Sequence, residues 1–106
     1  MSLERNEDAM MARYGTIASL LLCLDFNERD RTELADIARN KLNTLIANDS
    51  RWKNFQGDLV PGIVYKTIEE SGRKVPYKKF YECAETTPER MRDFWEYDEE
   101  VRGKLV

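Results

Sequence analysis

The side chains that most often perform chemistry in proteins are scarce in this sequence. The chain contains no histidine, which is the commonest general base and metal ligand near neutral pH. Its two cysteines, Cys23 and Cys83, lie far apart and form no C-x-x-C pair, so the spacing of a zinc site is missing. The five glycines are isolated, which excludes a glycine-rich phosphate loop. We therefore expect a protein that is not an enzyme and uses no metal or cofactor.

The surroundings of the two cysteines predict where the protein works. Both lie among apolar neighbours, such as Leu22 and Leu24 around Cys23, and this pattern favours buried free thiols over a disulfide. Free thiols are typical of a reducing compartment, so we expect a cytoplasmic protein in a prokaryote or a nuclear one in a eukaryote. The longest apolar stretch, residues 17–24, is too short to span a membrane and follows no basic leader, so no membrane partner is expected.

Positive charge is concentrated between Arg73 and Arg92. The formal net charge of the whole chain is −3, yet this segment carries six basic side chains against three acidic ones. Clustered lysines and arginines are the groups that contact nucleic-acid phosphates, and a helix N-terminus can assist them. The candidate DNA-binding residues are Arg73, Lys74, Lys78, Lys79, Thr87, Arg90 and Arg92.

Apolar residues recur at helical spacing along nearly the whole chain, which predicts a single all-α domain over residues 1–106, either complete or part of a longer protein. We expect five helices, at about residues 7–24, 29–47, 59–71, 77–85 and 87–102. The third is the least polar, so it should be buried on several sides, with Asp58 as its cap and Ile63 and Val64 in the core. Gly62 would let another helix approach it closely. Other positions expected inside include Met10, Tyr77, Phe80, Phe94, Trp95 and Val101.

The last two predicted helices have the outline of a helix-turn-helix. Residues 85–87 form a short turn between them, and Thr87-Pro88-Glu89 is a typical helix start, with a capping hydroxyl followed by proline in the first turn. The second helix would then present Glu89, Arg90 and Asp93 to solvent. An alternative is that this segment is only the solvated end of a bundle, with Arg92 in an ion pair with Glu89 or Glu96.

The order of these features resembles one cyclin-like repeat of the transcription factor IIB family, in its archaeal form especially. The resemblance covers nearly the whole chain and has three parts. Arg5-Asn6 with Ala9, Ile17 and Leu22-Cys23-Leu24 is similar to the family's opening helix, and residues 59–65 are similar to its central helix. The closing helix-turn-helix is matched by residues 72–76, Phe80 and residues 87–95, with Met91, Arg92 and Trp95 at characteristic positions. The turn glycine that the family usually has is replaced near Glu85.

The resemblance implies a cyclin-like bundle of five helices with a central third helix and a C-terminal helix-turn-helix. It also implies that the domain binds promoter DNA beside the TATA element, the TATA-binding protein, or both. A second hypothesis comes from the acidic balance, which includes Asp93, Glu96 and Asp98 on the last helix and would repel phosphate. The aromatic-rich segment Phe94-Trp95-Glu96-Tyr97 also favours it, because exposed aromatic side chains can anchor a protein partner. On that view the chain is a cyclin-like module that binds another protein and never contacts nucleic acid. Neither hypothesis includes a small-molecule substrate.

Overall fold

The computed structural model of the protein describes the backbone of residues 2–48 and 59–105, and the side chains of residues 11–47 and 59–96. The described chain forms five α-helices and no strand, which confirms the predicted all-α class. The cap predicted at Asp58 and the burial predicted for Met10 and Val101 lie outside the described side chains. In chain order the helices are α1 (Ser2–Cys23), α2 (Glu28–Asn48), α3 (Leu59–Glu70), α4 (Tyr77–Ala84) and α5 (Pro88–Leu105).

The first helical hairpin is closed by local polar groups. After α1 ends, Asp25 adopts a left-handed backbone conformation with φ of 63°, which aspartate tolerates better than most residues. The Asn27 side chain then accepts a hydrogen bond of 2.8 Å from the Asp30 N–H and so caps the N-terminus of α2. The helix α1 begins at Ser2, earlier than predicted, because no glycine or proline interrupts residues 2–14.

Helix α3 supplies the middle of the core, as the sequence predicted. Ile63 and Val64 are only 3% and 1% exposed. The helix packs against α1, α2 and α5, and the ring of Tyr65 meets Phe80 of α4 edge to face, with their centroids 5.1 Å apart. Because α3 contacts all four other helices, most of its surface is buried, and this explains why it is the most apolar segment. Only its C-terminal end keeps exposed acidic residues, Glu69 and Glu70.

The close approach expected at Gly62 is made by α5. A Cβ atom built on Gly62 would lie 2.4–2.6 Å from ring atoms of Phe94, a distance that real contacts do not reach. Both residues are buried, and Met91 is buried one turn before Phe94. The absence of a side chain at position 62 therefore sets how closely α3 and α5 pack.

Two burial predictions for aromatic residues need correction. The sequence predicts that Tyr77 lies inside, but its side chain is 54% exposed, because α4 is short and Phe80 occupies its one fully buried position. Trp95 is half-buried at the edge of the core and contacts Phe94 and Tyr65. Both rings contribute to a surface cleft described below.

The prediction of buried free thiols is wrong in this structure, where Cys23 and Cys83 form a disulfide with a Cα–Cα distance of 5.8 Å. Helix α1 packs against α4, and the two cysteines face each other at that contact. Cys23 is exposed because Leu20, Leu21 and Leu24 take the inward positions at this end of α1. Cys83 on α4 is half-buried. The cysteines therefore give no support to the predicted reducing compartment.

None of the described helices combines the length and the apolar character that crossing a membrane requires.

Candidate nucleic-acid interface

The predicted turn between the last two helices is built from backbone hydrogen bonds. Glu85 adopts the left-handed conformation, with φ of 53°. Its N–H donates to the Glu82 carbonyl (3.3 Å), and the Thr86 N–H donates to the Tyr81 carbonyl (3.2 Å). This pair of bonds is a Schellman motif, a common way to end a helix. The position that the resemblance assigns to a turn glycine is thus one where the backbone favours glycine.

Helix α5 starts directly after this turn. The Thr87 hydroxyl accepts a hydrogen bond of 3.2 Å from the Arg90 N–H, and the Thr87 carbonyl accepts one of 3.0 Å from the Met91 N–H. Thr87 is therefore the N-cap that the sequence predicted, and Pro88 follows in the first turn. The Thr87 hydroxyl therefore caps α5 as an acceptor, and its own O–H group can still donate a hydrogen bond.

Two candidate phosphate ligands are engaged with acidic residues elsewhere in the bundle. The guanidinium of Arg73 lies 2.9 Å from an Asp30 carboxylate oxygen and 3.3 Å from one of Glu33. The hydrogen bond with Asp30 raises the pKa of Arg73 above its usual value. Lys79 is paired with Asp25 in the turn after α1. These two cations tie the segment before α4, and α4 itself, to the first hairpin, so their charge is largely compensated.

Three other candidates remain available. Lys74, Lys78 and Arg92 are exposed, and none of them has an ion pair or hydrogen bond with the described residues. In particular, the alternative pairing of Arg92 with Glu89 or Glu96 is not formed. Lys74 precedes α4, Lys78 lies on α4 and Arg92 lies on α5, but no contact in the described structure brings the two lysines to Arg92.

The exposed surface at the start of α5 is mixed in charge. As predicted, Glu89, Arg90 and Asp93 face solvent. The guanidinium of Arg90 donates to the Glu85 carbonyl at 3.3 Å, so it also closes the turn. Arg92 is thus the one candidate on α5 whose guanidinium is not used within the described structure.

A cleft that the sequence did not reveal lies between α3, α4 and α5. It has a volume of about 430 Å³, and Arg92 lines it together with Tyr77 and Tyr81. The sequence signal for it was the spacing of these two tyrosines, which places both on one side of α4. The other lining residues are Tyr65, Glu69, Pro88 and Trp95.

Two tyrosine hydroxyls of this cleft, those of Tyr65 and Tyr81, have a raised pKa. Burial, and then a hydrogen bond with Tyr77, raise the pKa of Tyr81 to about 12. Burial, and then the nearby carboxylate of Glu69, raise the pKa of Tyr65. Neutral phenols can donate hydrogen bonds to phosphate or carbonyl oxygens, so the cleft surrounds Arg92 with additional donors.

Among the described side chains, no three acidic or cysteine residues come together to form a metal site. Comparison of the chain with protein-family models, characterised proteins and solved structures gives no match. The case for a function therefore depends on the residues of the α4–α5 region themselves.

Proposed function

We propose that this all-α domain binds promoter DNA through its α4–α5 helix-turn-helix, in the manner of a cyclin-like repeat of the transcription factor IIB family. The observation that carries the proposal is the turn at Glu85 followed by the cap at Thr87. Together they define a short helix, a tight turn and a second helix whose first residues are exposed. This is the arrangement with which helix-turn-helix proteins insert the start of a helix into the major groove.

The available cations define the contact residues of the proposal. Arg92 would contact a phosphate or a base edge from the first turns of α5, and Lys74 and Lys78 would contact phosphates from the segment before and within α4. Arg73 and Lys79 would act indirectly, because their ion pairs with α2 and the α1–α2 turn hold this region in place. The proposed interface is thus smaller than the set of basic residues in the sequence.

Three available cations among the candidate residues imply modest affinity for DNA alone. Each neutralised phosphate contributes to a salt-dependent binding energy, and three contacts are fewer than strong DNA-binding proteins make. The exposed acids Asp93 and Glu96 on α5 reduce the attraction further. We therefore expect the TATA-binding protein, the second partner implied by the resemblance, to increase binding by bringing the duplex to this surface.

The test is fluorescence anisotropy of a labelled duplex that contains a TATA element, titrated with the chain in the presence and absence of an archaeal TATA-binding protein, at about 50 mM salt. Binding should be detectable, should be stronger with the TATA-binding protein, and should weaken severalfold in Arg92→Ala. Arg29→Ala, at an exposed arginine on α2, is the matched control and should bind like the wild type. Equal weakening in both variants, or no binding in any condition, would reject the proposal.

The second hypothesis, a module that binds only protein, is favoured by one observation. Tyr77 is exposed by 54% at the rim of the aromatic cleft, and exposed tyrosines often anchor protein partners. The same titration distinguishes the two hypotheses. If the chain binds the TATA-binding protein without any duplex and Tyr77→Ser abolishes that complex, whereas Arg92→Ala leaves it intact, the protein-binding hypothesis is favoured.

A further inference from the structure

A second unpartnered surface lies on α1, away from the helix-turn-helix. Met11, Gly15, Ala18 and Leu22 are all exposed, and their spacing of four, three and four residues places them in one line along the helix. Leu22 is 59% exposed and Met11 is 67% exposed. Single exposed apolar residues are ordinary on protein surfaces, but an aligned row of them is typical of an interaction surface.

The C-terminal part of this row, Ala18 and Leu22, borders a groove between α1 and α2 with a volume of about 380 Å³. Ala18, Leu21 and Leu22 line it from α1, and Ala35 lines it from α2. Its remaining lining residues are Arg31, Thr32 and Arg39. The floor is therefore apolar, and both charged residues of the lining are arginines.

The charges of the groove indicate the chemistry of its occupant. Arg31 has no ion pair or hydrogen bond from its side chain to the described residues, whereas Arg39 is paired with Asp36 and lies 5.9 Å from the centre of the Tyr14 ring. A guanidinium has five N–H donors, so both arginines can bind a further carboxylate. In a dimer of this chain whose two-fold axis crosses the groove, the same arginines would approach each other, which is unfavourable.

We propose that the α1–α2 groove binds an amphipathic helix of a partner protein whose flanks are acidic. The apolar face of that helix would lie along Met11, Ala18 and Leu22, and its carboxylates would contact Arg31 and Arg39. From Met11 to Leu22 the row is roughly 17 Å long, which matches about three turns of a helix laid along it. This surface does not depend on the proposed DNA contacts, which lie on α4 and α5.

The test uses a synthetic helical peptide of roughly 18 residues, with leucines on one face and glutamates on its flanks, labelled for fluorescence anisotropy. The matched probe replaces every glutamate with lysine. We expect the acidic peptide to bind with Kd on the order of 10 µM and the lysine peptide to bind at least about tenfold more weakly. Higher salt should reduce this difference.

Two variants with matched controls locate the binding surface. Leu22→Ser should weaken binding of the acidic peptide about tenfold. Tyr77→Ser, which removes an aromatic side chain of similar exposure on α4, should leave that binding unchanged. Arg31→Glu should weaken binding of the acidic peptide and strengthen binding of the lysine peptide. Arg29→Glu, outside the groove lining, should leave the binding of both peptides unchanged. All four positions are at least partly exposed, so circular dichroism should show unchanged folding.

Any of three outcomes would overturn the inference. These are equal binding of the two peptides, an effect of Arg29→Glu as large as that of Arg31→Glu, or dimers of the chain that Leu22→Ser dissociates. The last result would assign the surface to a second copy of this chain. Failure of DNA binding would leave the inference unaffected, because the peptide titration contains no DNA.

Discussion

Gly62 and Gly15 are both helical glycines, but their surroundings differ completely. A Cβ atom at Gly62 would overlap the buried Phe94 ring, whereas one at Gly15 would meet nothing within 4 Å. We expect Gly62→Ala to lower the free energy of unfolding by about 1–3 kcal/mol through overpacking. Gly15→Ala should raise it by about 0.5–1 kcal/mol, because alanine favours the helix. Urea denaturation of both variants measures these changes, and equal effects would contradict the α3–α5 contact.

Glu85 carries the left-handed turn between α4 and α5 with a side chain that this conformation disfavours. Glu85→Gly should therefore raise the free energy of unfolding by about 1 kcal/mol. Glu82→Gly, inside α4, should lower it by a similar amount. Thermal denaturation of the pair is the measurement. A destabilised Glu85→Gly variant would show that the turn is not left-handed at this residue.

The raised pKa of Tyr81 makes the stability of the fold depend on pH in the alkaline range. Its pKa is about 12 in the folded chain and close to 10 when unfolded, so folding favours the protonated phenol. This contribution is fully present below pH of about 10 and disappears as the pH rises towards 12. The melting temperature should fall over that interval, and it should fall less in Tyr81→Phe. Identical pH profiles for the two proteins would contradict the burial of this hydroxyl.

At the scale of elements, the disulfide joins α1 to α4 across 60 residues of sequence. Closing a loop of that length restricts the unfolded chain, and typical stabilisation is about 2–4 kcal/mol. Reduction should lower the free energy of unfolding by about that amount. The double variant Cys23→Ser/Cys83→Ser should show the lower stability with or without reductant. A reductant effect that persists in the double variant would rule out the disulfide as its cause.

The helices were predictable from the sequence because each has an apolar row and a local signal at one end. Thr87-Pro88 marked the start of α5, and the apolar character of residues 59–68 predicted that α3 would be buried on several sides. The disulfide was not predictable, because apolar neighbours of Cys23 and Cys83 indicate only that a core is near. Whether two such cysteines meet depends on how α1 crosses α4, which no local pattern contains.

The candidate site was predicted only in part for the same reason. The sequence identified the basic segment, the turn and the cap at Thr87. It could not distinguish Arg73, which α2 neutralises through Asp30 and Glu33, from Lys74, which remains exposed. It also missed the cleft around Arg92, because three helices must pack before that cleft exists.

At the scale of the whole molecule, the chain is net acidic, and the available positive charge among the candidate residues lies near one helical hairpin. The ion pairs of Arg73 and Lys79 hold that hairpin to α2 and to the turn after α1, and this leaves Lys74, Lys78 and Arg92 as the cations of the proposed DNA-binding surface. This separation of paired from unpaired cations predicts that electrostatic attraction to a duplex comes from the three unpaired residues and not from the overall charge. The acidic remainder would keep the domain from binding nucleic acid elsewhere.

The most direct test is the salt dependence of duplex binding in the wild type and in the triple variant Lys74→Ala/Lys78→Ala/Arg92→Ala. The slope of log K against log salt changes by roughly 0.9 for each phosphate that the protein no longer neutralises, so the triple variant should have a slope shallower by roughly 2–3. Arg29→Ala, which removes an exposed cation from α2, is the control and should keep the wild-type slope. A triple variant whose slope equals that of the wild type would contradict the claim that α4 and α5 form the DNA-binding surface.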